Sequence, residues 1–110
     1  MIYHVTEKDN LEDVMTNGLM SAHDRGVDAD KYSNRHMDVW PDAAEFVDVD
    51  YHAVCFYLDI EDAELHEGLL DDPIILVIDE EYLDLVNHPE GKNIVYTTSI
   101  VEPEMIEVVR

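Results

Sequence analysis

Residues 3–19, YHVTEKDNLEDVMTNGL, contain the pattern from which the fold is predicted. The aromatic and β-branched residues at the start predict a short strand over residues 1–5. The next apolar residues are spaced i, i+3 and i+4, as on one face of a helix, and they are Leu11, Val14 and Met15. Asn17 and Gly18 then predict the end of this helix, with Gly18 in a left-handed conformation.

The remainder of the chain continues this alternation of short strands and helices. Apolar and β-branched runs predict further strands at 53–58, 74–78, 93–97 and 105–109. Short helices are expected at 41–47, 61–66 and 80–86. Residues 21–37 have no clear period and are expected to form a long polar loop, with at most one helical turn. The sequence therefore predicts one α+β domain over residues 1–110, with five to six short strands and two to four short helices.

The charge of the chain restricts its function. It carries 27 acidic and 6 basic residues, a formal net charge of −21, while 46% of its residues are hydrophobic. This apolar content excludes a disordered acidic segment, and the shortage of Lys and Arg excludes a general nucleic-acid-binding surface. Because the acids run through the whole chain, we expect a protein adapted to the high-salt cytoplasm of a halophile. The alternatives are an acidic mimic of nucleic acid and a partner for a basic protein.

Two residue types exclude further classes of site. The six histidines never occur at a ligand spacing such as His-x3-His, so no metal site is predicted; a transition-metal site assembled across the fold is the alternative. Cys55 is the only cysteine, which excludes a disulfide within the chain, and it is expected to be a buried small hydrophobe. No apolar stretch approaches the roughly 20 residues of a membrane span, so no membrane association is expected.

His4 and Thr6 form the best local candidate for a binding site. They alternate onto one face of the first predicted strand. An imidazole beside a hydroxyl can hold a ribose or an amide group by hydrogen bonds. A strand-edge histidine satisfied by a backbone carbonyl is the structural alternative.

A wider pattern surrounds this pair. Tyr-His-x-Thr followed by Asn-Leu-x-x-Val-x-x-x-Gly-Leu resembles the opening of ADP-ribosyltransferase-fold proteins, above all the DarT-type DNA-modifying toxins and the RNA 2′-phosphotransferases. Later segments resemble the same proteins in the same order: YHAVCFYLDIEDAEL at 51–65, DDPIILVIDEEYL at 71–83 and YTTSIVEPEMIEVV at 96–109. The resemblance implies a small ADP-ribosyltransferase-like fold with split, mainly antiparallel sheets, and NAD as a substrate.

The resemblance also implies roles for individual residues. His4 would bind the nicotinamide ribose, with Thr6 assisting. Tyr57 or Phe56, whose side chains face opposite ways on one strand, would stack against nicotinamide. The catalytic residues would be His4 and a late glutamate that orients the acceptor.

Two glutamates near the end of the chain are candidates for that role, Glu102 first and Glu104 second. Both also fit a solvated turn. The toxins of this family are longer than this chain, and the phosphotransferases carry an additional basic lobe.

Residues 21–37 interrupt the acidity of the chain. This segment holds half of the six basic residues, and they are Arg25, Lys31 and Arg35. In the resembling folds, the loop after the first helix borders the nucleotide pocket. Since a guanidinium suits phosphate, Arg25 or Arg35 is expected to contact the diphosphate of NAD. Surface pairing with neighbouring acids is the alternative.

The expected function is transfer of ADP-ribose from NAD to an unidentified nucleic-acid or protein acceptor. The alternative is an inactive binding or assembly component of the same fold, acting with a protein partner in a toxin–antitoxin pair or in a viral particle. The expected location is the cytoplasm of a halophile, or the virion if the chain is viral.

Overall fold

Six strands and four α-helices form the part of the chain that the computed structural model describes, residues 1–40, 45–89, 91 and 93–110. The strands are β1 (Ile2–Glu7), β2 (Val54–Tyr57), β3 (Pro73–Ile78), β4 (Val86–Asn87), β5 (Ile94–Thr97) and β6 (Ile106–Val108). The helices are α1 (Leu11–Asn17), α2 (Ala29–Val39), α3 (Val47–Tyr51) and α4 (Ile60–Glu67), with short 3-10 helices at Lys8–Asn10, Glu80–Tyr82 and Pro103–Met105. The predicted α+β class is confirmed. None of the helices in these residues has the length and hydropathy that a bilayer span needs.

The strands form one antiparallel sheet in the order β4-β5-β2-β1-β3-β6. Split sheets were expected, whereas the structure has one continuous sheet with a narrow junction. β1 pairs with β3 along its whole length, but within the described residues it pairs with β2 only where Tyr3 lies opposite Tyr57. Beyond that pair, the His4 ring makes a hydrogen bond to the backbone oxygen of Cys55. A side-chain hydrogen bond thus stands where the backbone ladder between β1 and β2 would continue.

Each face of the sheet is covered by a short helix. Alternate side chains of a strand point to opposite faces, so Leu76 of β3 packs with Val14 of α1 while Ile75 packs with Ala63 of α4. Both faces of β3 are therefore buried, which is why its sequence is an unbroken apolar run.

The end of α1 was predicted correctly. Gly18 has a φ of 88°, and its N–H donates to the carbonyl of Val14 at 2.8 Å. The chain then turns so that Leu19 and Val101 exchange two backbone hydrogen bonds, at 2.8 and 2.9 Å. Leu19 becomes part of the buried core.

The long loop expected at 21–37 is wrong for its second half, which forms α2. The Asp28 side chain caps this helix by accepting the Lys31 N–H at 3.0 Å. Tyr32 and His36 of α2 and Trp40, the residue after it, line a cavity. Because these three side chains are aromatic or imidazole rather than aliphatic, the apolar periodicity missed the helix.

Two other helix predictions need correction. The helix expected at 80–86 is only the 3-10 helix Glu80–Tyr82, since the chain is already extended at Leu83 and pairs as β4 at Val86–Asn87. The helix expected at 41–47 falls partly outside the described residues, and the described helix that follows is α3.

Candidate functional site

Two adjoining cavities lie beside the junction of β1 and β2, where the backbone pairing of these strands stops. The larger has a volume of about 560 Å³ and the smaller about 290 Å³. Both are bordered by one set of side chains, which are Val5, Tyr32, His36, Trp40 and His66. The larger volume lies within the range of small-molecule sites.

His4 lines the larger cavity and is held by the strand beside it. Its Nδ1 lies 2.8 Å from the backbone oxygen of Cys55. Burial lowers the pKa of His4, and the hydrogen bond to Cys55 opposes this only in part. The ring is therefore neutral at pH 7. Because a carbonyl can only accept, Nδ1 carries the proton and Nε2 presents a lone pair that can accept from a hydroxyl.

A second histidine, His66 of α4, packs among aromatic rings in the same cavity. Its Nδ1 lies 3.0 Å from the Tyr57 hydroxyl, and the ring centroid of Trp40 lies 5.0 Å from that of His66. Burial, followed by the positive charge that His4 carries when it is protonated in acid, lowers the pKa of His66 to about 4. His66 and the aromatic rings around it therefore form an uncharged wall of the cavity at neutral pH. Such a wall suits a flat heteroaromatic ring.

The low pKa of His66 predicts that the fold weakens in acid. Between its usual pKa of 6.5 and its folded pKa of about 4, the unfolded chain binds a proton that the folded chain does not, so stability falls as pH falls through this window. The full effect is about 3 kcal/mol. We expect urea unfolding of the wild type and His66→Asn to show that the stability difference between them shrinks by about 2 kcal/mol from pH 7 to pH 4.5.

The comparison between these two chains cancels the acidic background, since both carry the same carboxylates. His23→Asn, at an exposed histidine with a 57% accessible side chain, is the matched control. If the difference in free energy of unfolding between the wild type and His66→Asn stays constant with pH, the loss of stability in acid does not come from His66.

A carboxylate on α3, Asp50, joins two buried histidines at the far side of the larger cavity. His36 Nε2 lies 2.6 Å from Asp50 Oδ2, and His88 Nε2 lies 2.6 Å from Asp50 Oδ1. Burial, followed by the charges of Asp50 and Cys55, raises the pKa of Tyr32 well above its usual value of 10. This side of the cavity is negatively polarised.

The smaller cavity is basic. Half of the six basic residues of the sequence line it, and they are Arg25, Lys31 and Arg35, against one acidic residue, Glu7. Arg25 lies 3.6 Å from Asp13, whereas Lys31 and Arg35 form no ion pair within the described residues. Lys31 and Arg35 are one helical turn apart on α2, so their side chains lie on the same side of that helix.

The predicted ligand-binding residues come together around these two cavities. His4 and Tyr57 line the larger cavity, while Thr6, Arg25 and Arg35 line the smaller. His4 and Thr6 therefore occupy adjoining cavities rather than one. The Thr6 hydroxyl accepts a hydrogen bond from Asn10 at 3.0 Å and keeps its own proton for a ligand.

The other candidates lie elsewhere. Phe56 is fully buried in the core on the α1 face, so of the two neighbouring aromatics only Tyr57 reaches the cavity. Glu102 and Glu104 are exposed around the 3-10 helix Pro103–Met105 and line neither cavity. The structure does not bring a late glutamate next to His4.

Cys55 also differs from its prediction as a buried hydrophobe. It is only partly buried, lines the larger cavity, and its thiol lies 3.4 Å from Asp50 Oδ1. Residues that the sequence did not single out complete the cavity wall, above all His36, Trp40 and Asp50. The four-residue spacing of Tyr32, His36 and Trp40 was the available signal for part of this wall.

Comparison of the chain with protein-family models, with curated proteins and with solved structures gave no match.

Proposed function

We propose that this chain binds NAD across the two adjoining cavities and transfers ADP-ribose from it. The observation that carries the proposal is the distribution of positive charge. In a chain of net charge −21, half of the basic residues border one small cavity. A diphosphate is the ligand group that such a cluster suits best. One guanidinium can donate two parallel hydrogen bonds to two oxygens of a phosphate.

The larger cavity supplies the complementary end of the ligand. The neutral His4 ring offers Nε2 to a ribose hydroxyl, as its resemblance to the ADP-ribosyltransferase opening implies. Tyr57 and Trp40 provide aromatic surface for nicotinamide on either side of His66. The two cavities adjoin, so one dinucleotide can place its ring in the first and its diphosphate in the second.

Transfer breaks the bond between nicotinamide and ribose C1′ and forms a bond from C1′ to the acceptor nucleophile, whose proton passes to a base. The transition state is cationic, so a carboxylate near C1′ stabilises it. Glu102 lies outside the larger cavity. Among the described carboxylates, Asp50 and Asp62 line this cavity, and Asp50 already contacts two histidines. Asp62, on α4, makes neither of these contacts. We assign the orienting role to Asp62. The acceptor is a nucleic-acid base or a protein side chain.

NAD binding is tested by calorimetry on the full chain at low and at molar KCl, because the acidic surface is suited to high salt. We expect His4→Asn to weaken NAD binding about tenfold or more, since the amide keeps a donor for the Cys55 carbonyl but loses the Nε2 acceptor. An absence of NAD binding by the wild type at every salt concentration would overturn the proposal.

A second function is binding without transfer, as part of a complex with a protein partner. The exposed position of Glu102 and Glu104 favours it. Release of nicotinamide, measured by chromatography, separates the two functions. Transfer requires release that is lost in Asp62→Asn, whereas a pure binding domain holds NAD and releases none.

A further inference from the structure

Three potential metal ligands from separate parts of the chain converge on one wall of the larger cavity. Asp50 lies on α3, Cys55 on β2 and His88 directly after β4. The ligand atoms of these three side chains all lie within 4.8 Å of one another. Asp50 Oδ1 is 2.6 Å from His88 Nε2 and 3.4 Å from Cys55 Sγ.

The surroundings of this cluster bury its side chains and hold its carboxylate in place. The side chains of His88 and Asp50 are only 1% and 15% exposed, so solvent does not compete strongly for them. His36 Nε2 holds the other carboxylate oxygen, Asp50 Oδ2, at 2.6 Å. The ring of His36 is itself 4% exposed and lines the cavity, and its Nδ1 is buried without a hydrogen-bond partner among the described residues. Buried polar atoms without a partner are uncommon, so this nitrogen is a position that a bound water or ligand would fill.

We propose that Asp50, Cys55 and His88 bind a divalent transition-metal ion of the zinc type. A thiolate, an imidazole and a carboxylate form a ligand set that zinc prefers and that magnesium and calcium do not. In a tetrahedral zinc site, neighbouring ligand atoms lie about 3.3 to 3.7 Å apart. The Asp50 Oδ1 to Cys55 Sγ distance of 3.4 Å already fits.

Metal binding requires the ligand atoms to move. The contact of 2.6 Å between Asp50 Oδ1 and His88 Nε2 must open by less than about 1 Å. The ion displaces the thiol proton of Cys55 into solvent. The proton that His88 Nε2 donates to Asp50 in the structure moves to Nδ1, so that the ring stays neutral and the ion takes the Nε2 lone pair. His36 keeps its hydrogen bond to Asp50 Oδ2 and so fixes the carboxylate, as outer partners of metal ligands generally do.

Three protein ligands leave one tetrahedral position for water or substrate. All three ligands line the larger cavity, so this fourth position opens into it. Sites of this composition are of the catalytic type, in which the ion acidifies a bound water or polarises a ligand oxygen. The metal site shares the larger cavity with the proposed NAD site, but none of its three ligands is a residue assigned to NAD.

The proposal is tested by titrating the full chain with Co²⁺, without NAD, in molar KCl that screens diffuse binding to the acidic surface. We expect a thiolate-to-cobalt charge-transfer absorption that saturates at one ion per chain and is displaced by Zn²⁺. Cys55→Ser should abolish this absorption, and Asp50→Asn and His88→Asn should each weaken binding about tenfold to a hundredfold. His23→Asn, which removes an exposed histidine next to Asp24, is the matched control and should bind as the wild type does.

A second measurement needs no variant that has to fold. Cys55 is the only thiol in the chain, so its rate of modification by a disulfide reagent reports this site alone. One equivalent of Zn²⁺ should slow the modification at least tenfold, and a chelator should restore it. An unchanged rate, or cobalt bound without a thiolate absorption, would overturn the proposal and leave the cluster as a hydrogen-bond network only.

Discussion

Gly18→Ala is expected to lower the free energy of unfolding by about 3 kcal/mol or more, a large part of the stability of a domain of this size. A Cβ at this position would lie 2.2 Å from the backbone oxygen of Val101. Relief of this overlap requires the two Leu19–Val101 backbone hydrogen bonds to move, because the oxygen belongs to that bridge. The positive φ of 88° adds strain of about 1 to 2 kcal/mol.

Two other glycines separate the contributions to this effect. Gly26 also has a positive φ, 77°, but a Cβ there would meet nothing within 4 Å, so Gly26→Ala should cost about 1 kcal/mol from strain alone. Gly68 has an ordinary helical φ of −65°, and Gly68→Ala should change stability by less than about 1 kcal/mol, in the stabilising direction. Urea unfolding of the three variants measures the order. A loss in Gly18→Ala no larger than in Gly26→Ala would show that α1 moves freely relative to Val101.

Five of the six strands that the structure describes could be predicted from the sequence, because buried strand positions carry apolar residues. β3 is buried on both faces and is apolar throughout, while β2 alternates buried with half-buried side chains. β4 was missed, since both of its residues are exposed. The single β1–β2 pair could not be predicted, since it depends on whether His4 reaches the Cys55 carbonyl. Helix α2 was missed for a related reason, because its inward stripe contacts a cavity rather than an aliphatic core and is built from aromatic and imidazole side chains.

The candidate site was predictable only where a local motif marks it. The Tyr-His-x-Thr spacing pointed to His4 and Thr6, and the neutral segment 21–37 pointed to the basic residues of the smaller cavity. The Asp50 cluster has no such signal. Its histidines lie 14 and 38 residues from Asp50 in sequence, so only the tertiary fold brings them to one carboxylate.

Arg35→Glu is expected to weaken NAD binding about a hundredfold or more if the smaller cavity holds the diphosphate. The substitution removes a charge-assisted contact and places a carboxylate beside two phosphates, each change costing about 1 to 3 kcal/mol. Arg35 is exposed at the edge of the cavity and forms no ion pair within the described residues, so the fold should be unaffected.

Lys8→Glu is the matched control, because it changes the net charge by the same amount at an exposed position that lines neither cavity. It should weaken NAD binding less than threefold at low salt, and the small effect should vanish in molar KCl, where a charge that makes no direct contact with the ligand is screened. The Arg35→Glu effect should persist in part, since direct contacts are screened least. Equal losses in the two variants at low salt, both removed by KCl, would show that NAD responds only to the overall charge of the protein and would exclude the diphosphate from the smaller cavity.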